Sequence, residues 1–272
     1  LKYAEADADA VAEILLRKFG FEKANVKILK SAQATRQGVL DALSDLADPK
    51  KVHNDDCVLI YFSGHGQTVP LPESRGGGKM GFLIPYDAQI DLSEETNAAD
   101  YYRCCIGMDE LYRVAKLVPA KHILFVVDAC YSGLALKAGK GFDIKLPGYL
   151  KKAASVPTQQ MVTAGGEGEE SQERSDLGHG VFTYKMLEGL DKGVADTNDD
   201  GVITSFELAS YLGGFVPQIA NQNPQYGREG EGEFLFLRQE GRKPVTTTIT
   251  ETKPGEGFVS TLTLNVIPPR YS

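Results

Sequence analysis

The chain has 272 residues, 42% of them hydrophobic, with 29 Lys and Arg against 37 Asp and Glu for a net charge of −8. That size and apolar content suit one large α/β domain, or a domain with an appendage, and no run of about 18 apolar residues offers a membrane span. The acidic balance argues against a nucleic-acid or membrane-surface partner and favours a cationic substrate. The cysteines, Cys57, Cys104, Cys105 and Cys130, show no repeated metal-type spacing. No signal peptide is visible, so free thiols and a cytoplasmic location are expected.

In chain order, "YAEADADAVAEILLRKFGF" places apolar residues at 11, 14, 15 and 19, the spacing of a helix that Gly20 would close. A doubly wound sheet ordinarily has a strand ahead of such a helix. None is read here, and upstream sequence is expected to have been lost. "NVKIL" reads as a short strand, and "ATRQGVLDALSDLA" as a helix capped by Thr35. "DCVLIYF" is a buried strand ending at "SGHG", "GKMGFLIPYDA" a short hairpin, "MDELYRVAKLV" a helix and "KHILFVVD" a second buried strand.

Residues 134–158 are basic and contain Gly and Pro, which predicts a mobile surface loop. "QQMVTA" is a strand, "VFTYKMLEGLDKG" and "SFELASYLGGFV" are helices, and "GEFLFLR" is expected as the last core strand. Beyond Thr246 the alternation of "TTTIT" and "STLTLNVI" predicts a β extension outside the main sheet. The division is a domain over 1–240 and a C-terminal β extension over 241–272. The alternation of strands and helices predicts an α/β fold with a predominantly parallel sheet flanked by helices.

Two buried strands end alike. "VLIYFSGHG" sets His65 just past its tip, and "ILFVVDACYSG" sets Cys130 just past its own. If the strands are neighbours, an imidazole and a thiol meet at one sheet edge, the pairing that makes a thiolate nucleophile. The backbone N–H groups of Gly66 and Cys130 are candidates for an oxyanion hole. Ser63 and Asp128 each lie two residues earlier, on the same strand face as the group that follows, where they can line a pocket.

"YFSGHG" with "DACYSG", and also "GFLIPYDA", "TAGG" and "GHGVFTYKMLEGL", resemble the caspase-like cysteine peptidases, in particular the bacterial, metacaspase-type (orthocaspase-like) branch, over roughly residues 1–238. The resemblance implies a caspase-like sheet, Cys130 as nucleophile and His65 as general base and acid, with no cofactor for the chemistry. It also matches Asp7, in "LKYAEAD", to an acidic residue that opens the first helix of metacaspases. Asp7, Ser63 and Asp128 together would favour a guanidinium or ammonium, so cleavage after Arg or Lys of a protein or peptide is expected, with self-processing in the 134–158 loop or at Arg174.

Separately, "DTNDDGVITSFE" fits a twelve-residue calcium loop, with Asp196, Asn198, Asp200, Val202, Thr204 and Glu207 as ligands and Gly201 at the turn. The alternative for this segment is a helix–turn–helix connector without metal. Asp87 and Asp109 match parts of the acidic calcium cluster of metacaspases, but Met108 and Lys137 stand where more carboxylates would be expected. The rival functions are a catalytically idle caspase-like module that binds a partner protein through the C-terminal extension, and a legumain- or gingipain-type peptidase.

Overall fold

The computed structural model describes residues 1–75, 77–90, 98–129, 148–166, 169–239 and 261–267. Two strands form the centre of the fold, β2 (Cys57–Ser63) and β6 (His122–Asp128), and every residue of both is buried. They pair in parallel, with Cys57 opposite His122 and Ser63 opposite Asp128. Near-continuous apolar runs are what a strand covered on both faces requires. Successive side chains then serve opposite layers. Leu59, Tyr61, Leu124 and Val126 pack with helices α1 (Ala4–Lys18), α6 (Val181–Lys192) and α7 (Ser205–Phe215). Val58, Ile60, Phe62, Ile123, Phe125 and Val127 pack with α2 (Arg36–Leu46) and α4 (Met108–Ala115).

The six-stranded sheet is completed by β1 (Val26–Lys30), β7 (Thr158–Thr163), β11 (Gln225–Gly230) and β13 (Thr261–Ile267), in the order β1-β13-β2-β6-β7-β11. β7 is parallel to β6, whereas β11 and β13 run antiparallel to their neighbours. The fold is a mixed, mostly parallel sheet flanked by helices, as expected. Thr35 caps α2 by accepting the Gly38 N–H at 3.0 Å, also as expected.

Several elements differ from the sequence reading. The segment 261–267 is not outside the main sheet but lies between β1 and β2, paired to both. "GEFLFLR" contributes β12 (Leu235–Leu237), which pairs with β10 (Val202–Thr204) in a separate two-stranded sheet. The edge of the main sheet goes instead to β11, whose half-exposed residues carry no two-residue alternation. Two short helices, α3 (Ala98–Cys104) and α5 (Tyr149–Ser155), were not read from the sequence. α5 occupies the end of the expected 134–158 loop, and residues 134–147, with Lys137, Lys140 and Lys145, lie outside the described residues. Two small antiparallel units finish the architecture. One joins β3 (His65–Pro70), β4 (Lys79–Ile84) and β5 (Ile106–Gly107), and the other is the pair β8 (Glu173–Arg174) and β9 (His179–Gly180).

Candidate active site

The parallel register sets the two strand tips level. Ser63 pairs with Asp128, and the Gly64 N–H donates to the Asp128 carbonyl at 3.1 Å. The chain then continues into His65, the first residue of β3, and on the other strand into the fully buried Ala129. Cys130, the expected nucleophile and oxyanion donor, lies outside the described residues. His65 is half-buried, and burial pulls its imidazole below the ordinary value. Such a ring is neutral near pH 7 and able to accept a proton. Gly66 follows in β3, opposite Leu83.

Ser63 and Asp128 share the face of Tyr61 and Val126, the face covered by α1 and α6. Asp7 on α1 and Gly180 at the N-terminus of α6 therefore meet them. Asp7 and Asp128 are 1% and 2% exposed, values that carboxylates reach only with dedicated partners. A Cβ built on Gly180 would stand 2.8 Å from Asp128 Oδ2 and 3.1 Å from Asp7 Oδ2, so both carboxylates converge on the bare Cα of this glycine.

The local reason is capping. Gly180 is the N-cap of α6 and has no side chain to satisfy the first N–H groups of the helix. Asp7 Oδ2 accepts the Gly180 N–H at 3.1 Å, and Asp128 Oδ2 accepts from Thr183 Oγ1 at 2.6 Å and from the Thr183 backbone. Ser171 donates to Asp128 Oδ1, and His179 Nδ1 meets Asp7 Oδ1 at 2.6 Å. Below them Tyr61 hydrogen-bonds Thr183 at 2.6 Å and also engages Ser63.

Burial dominates the electrostatics. It raises the Asp7 carboxyl, against the opposing hydrogen bonds from His179 and Gly180. Burial, followed by the charge of Asp7, pushes Asp128 up to about 6. Two poorly solvated carboxylates side by side form a site whose charge a guanidinium or ammonium would complete.

Of the residues expected from the sequence, Asp7, Ser63 and Asp128 come together beside the tip that carries His65. The sequence reading missed Gly180, Thr183, Ser171 and His179. The signal for Gly180, Thr183 and His179 was the "GHGVFT" string, which was read as resemblance alone, and Ser171 had none.

A Cys–His pair is found at the other end of the same strands. Cys57 Sγ lies 3.5 Å from His122 Nδ1, while His122 Nε2 contacts the Val156 carbonyl at 3.1 Å. Burial pushes the Cys57 thiol up to about 12, so it is no thiolate at neutral pH. Six residues of strand, about 20 Å, separate this pair from Ser63 and Asp128. Cys57, Cys104 and Cys105 are free thiols.

The loop at 196–207 is an internally bonded turn. Asp196 accepts from the Asp200 and Gly201 N–H groups at 3.3 and 2.8 Å, and Gly201 takes the turn at φ +84°. Asn198 Oδ1 accepts the Asp200 N–H at 3.1 Å. Asp200 accepts the Val202 N–H at 2.9 Å and the Tyr149 hydroxyl. Glu207 completes a capping box with Thr204 and also accepts from Thr197 N and Oγ1 at 3.1 and 2.8 Å. Among the described residues no three His, Cys, Asp or Glu side chains are arranged to hold a metal. The carboxylates here accept the N–H groups of the turn and of the α7 cap. Asp87 accepts the Arg36 N–H at 2.7 Å, and Asp109 lies 3.7 Å from Arg113. Among the described residues no helix is long and apolar enough to cross a membrane.

The profile of the protein family described as Caspase domain matches residues 1–225. "Metacaspase-1" of Eremothecium gossypii is 28% identical over 139 residues, which is 48% of this chain and 28% of that protein. The chain therefore spans well under two thirds of the length of the curated relative it matches.

Proposed function

The chain belongs to the caspase-domain family as a caspase-like cysteine peptidase of metacaspase type, and from that premise we propose that it cleaves peptide bonds after Arg or Lys through Cys130 and His65. In this reading His65 takes the thiol proton as Cys130 attacks the scissile carbonyl. The N–H groups of Gly66 and Cys130 hold the oxyanion, and the same imidazole returns the proton to the leaving amine. Water then attacks the acyl-enzyme with His65 as base, and the thiol is regenerated. The level strand tips, with Ser63 opposite Asp128, support the meeting of the two groups. The lowered basicity of the half-buried His65 supports its role as proton acceptor.

The observation that carries the substrate assignment is the convergence of Asp7 and Asp128 on Gly180 beside that tip. A planar guanidinium can take lone pairs from both carboxylates at once, whereas an acidic residue would meet two like charges.

The test is a positional peptide library run on wild type and Cys130→Ala. Cleavage after Arg or Lys that vanishes in the variant is the expected outcome. Faster cleavage after Asp would overturn the pocket, preference for Asn would point to legumain-type chemistry, and an inactive wild type would favour the idle interaction module.

A further inference from the structure

His179 is the group that faces Asp7 from outside the sheet. Its Nδ1 lies 2.6 Å from Asp7 Oδ1, and its side chain is 24% exposed beside a carboxylate that is 2% exposed. It stands one residue before Gly180, whose N–H holds the other oxygen of Asp7 at 3.1 Å. The imidazole and the amide therefore fix the carboxylate plane from two sides.

The ring is itself held. His179 pairs with Arg174 across the β8–β9 hairpin, and Glu173 of that hairpin accepts the Lys2 and Tyr3 N–H groups at the start of α1. Hairpin and helix are thus tied together on both sides of the His179–Asp7 contact. His179 also lines a cavity of about 370 Å³ with Ile14, Leu177 and Tyr184, so the part of the ring that does not meet Asp7 faces open space.

We propose that His179 is a positioning residue of the cationic pocket. Through Nδ1–H it holds Asp7 ionised and in the rotamer that faces Asp128, and so sets how strongly the pocket prefers a charged side chain. The inference rests on the Arg/Lys reading of the pocket and adds to it a residue that touches neither substrate nor nucleophile. Without the imidazole, Asp7 keeps among the described residues only the Gly180 N–H, and two crowded carboxylates relieve their repulsion by sharing a proton or turning apart. Loss of a hydrogen bond to a charged group of this kind is worth about tenfold in binding.

The experiment compares His179→Ala, His179→Asn and His179→Gln on peptides ending in Arg and in citrulline, its uncharged isostere. Asn places an amide N–H where imidazole Nδ1–H stands, and Gln places it one bond further out. The expected result for Ala and Gln is an approximately tenfold rise in KM for the Arg peptide, with kcat within about twofold, and an equal fall in the Arg-to-citrulline preference. Asn is expected to stay within about twofold of wild type. An unchanged or sharpened preference in Ala or Gln overturns the proposal, as does equal loss in Asn and Gln. The Asn–Gln comparison decides the matter even if the Ala variant fails to fold. Should wild type itself not distinguish Arg from citrulline, the pocket assignment fails, and that result is separate from any effect of His179.

Discussion

Asp128 is asked to do two things that pull against each other. Burial and the charge of Asp7 hold its carboxyl up at about 6, while Ser171 and Thr183 donate to its anion. A carboxyl raised in the folded chain above its ordinary 3.8 keeps a proton that the unfolded chain has released, so stability falls as pH rises through that window. Asp128→Asn removes this penalty. The variant should gain little below about pH 4 and up to about 3 kcal/mol at neutral pH, less whatever the amide loses at Ser171 or Thr183. Melting temperatures of the two proteins across that range test this, and a constant difference would contradict it. The same titration governs binding with the opposite sign. Benzamidine, an amidine cation, should bind wild type more tightly as pH rises through about 6, and the Asn variant should lose that limb. Gly180→Ala should raise KM for an Arg peptide more than tenfold while the chain stays folded, because the new methyl would sit 2.8 Å from Asp128 Oδ2. Unchanged KM would mean that the carboxylates do not act at this spot. That Ser63 and Asp128 share a strand face was legible from strand parity, whereas Asp7 was matched to them only through the resemblance. His179 and Thr183 were not, because their partners lie 172 and 55 positions away in sequence.

Among the elements, α7 shows how one local pattern serves two readings. "DTNDDGVITSFE" has the acceptor spacing of a calcium loop, but the same spacing feeds N–H groups back onto the carboxylates. Glu207 is 2% exposed and accepts from both Thr197 and Thr204. Periodicity and composition cannot tell a cap from a ligand, since both are oxygen acceptors with no charged partner nearby in sequence. If the cap is what Glu207 provides, Thr204→Ala should cost about 1 kcal/mol. Glu207→Ala should cost about 2–3 kcal/mol, because several donors are left without an acceptor, and the loss should be the same in calcium and in EDTA. A calcium-dependent rise in the melting temperature of wild type that Glu207→Gln abolishes would establish the cation reading. Other elements escaped the sequence for a different reason. β11 is an edge strand with "QYGREG", half-exposed and without alternation, so nothing in its residues announces it.

At the scale of the molecule, the consequential surprise is the strand at 261–267. Its alternation made it legible as a strand, but pairing partners so far away in the chain, such as Cys57 for Ile267 and Val26 for Asn265, are invisible to local pattern. β13 is antiparallel to β2 along the whole length from Cys57 to Ser63, and antiparallel to β1 from Val26 to Lys30. It lies second in the sheet, between β1 and β2. Because among the described strands β1 reaches the rest of the sheet only through β13, removing that strand unseats β1 and leaves the β2 ladder open up to Ser63. An open, flat, apolar strand edge recruits other chains. Truncation after Gln239 should therefore give a broadened melt and concentration-dependent association by size-exclusion chromatography. A peptide spanning 258–269 added in trans should reverse both, since the open slot accepts a strand by backbone pairing. Thr263→Pro in the intact chain should act like a partial truncation, because proline withdraws an N–H from a strand flanked on both sides. A truncated chain that stays monomeric, with a sharp and unshifted melt, would show that the sheet does not depend on β13. The partner-binding reading of the C-terminal segment would then be favoured, because the strand would be free to pair outside the molecule.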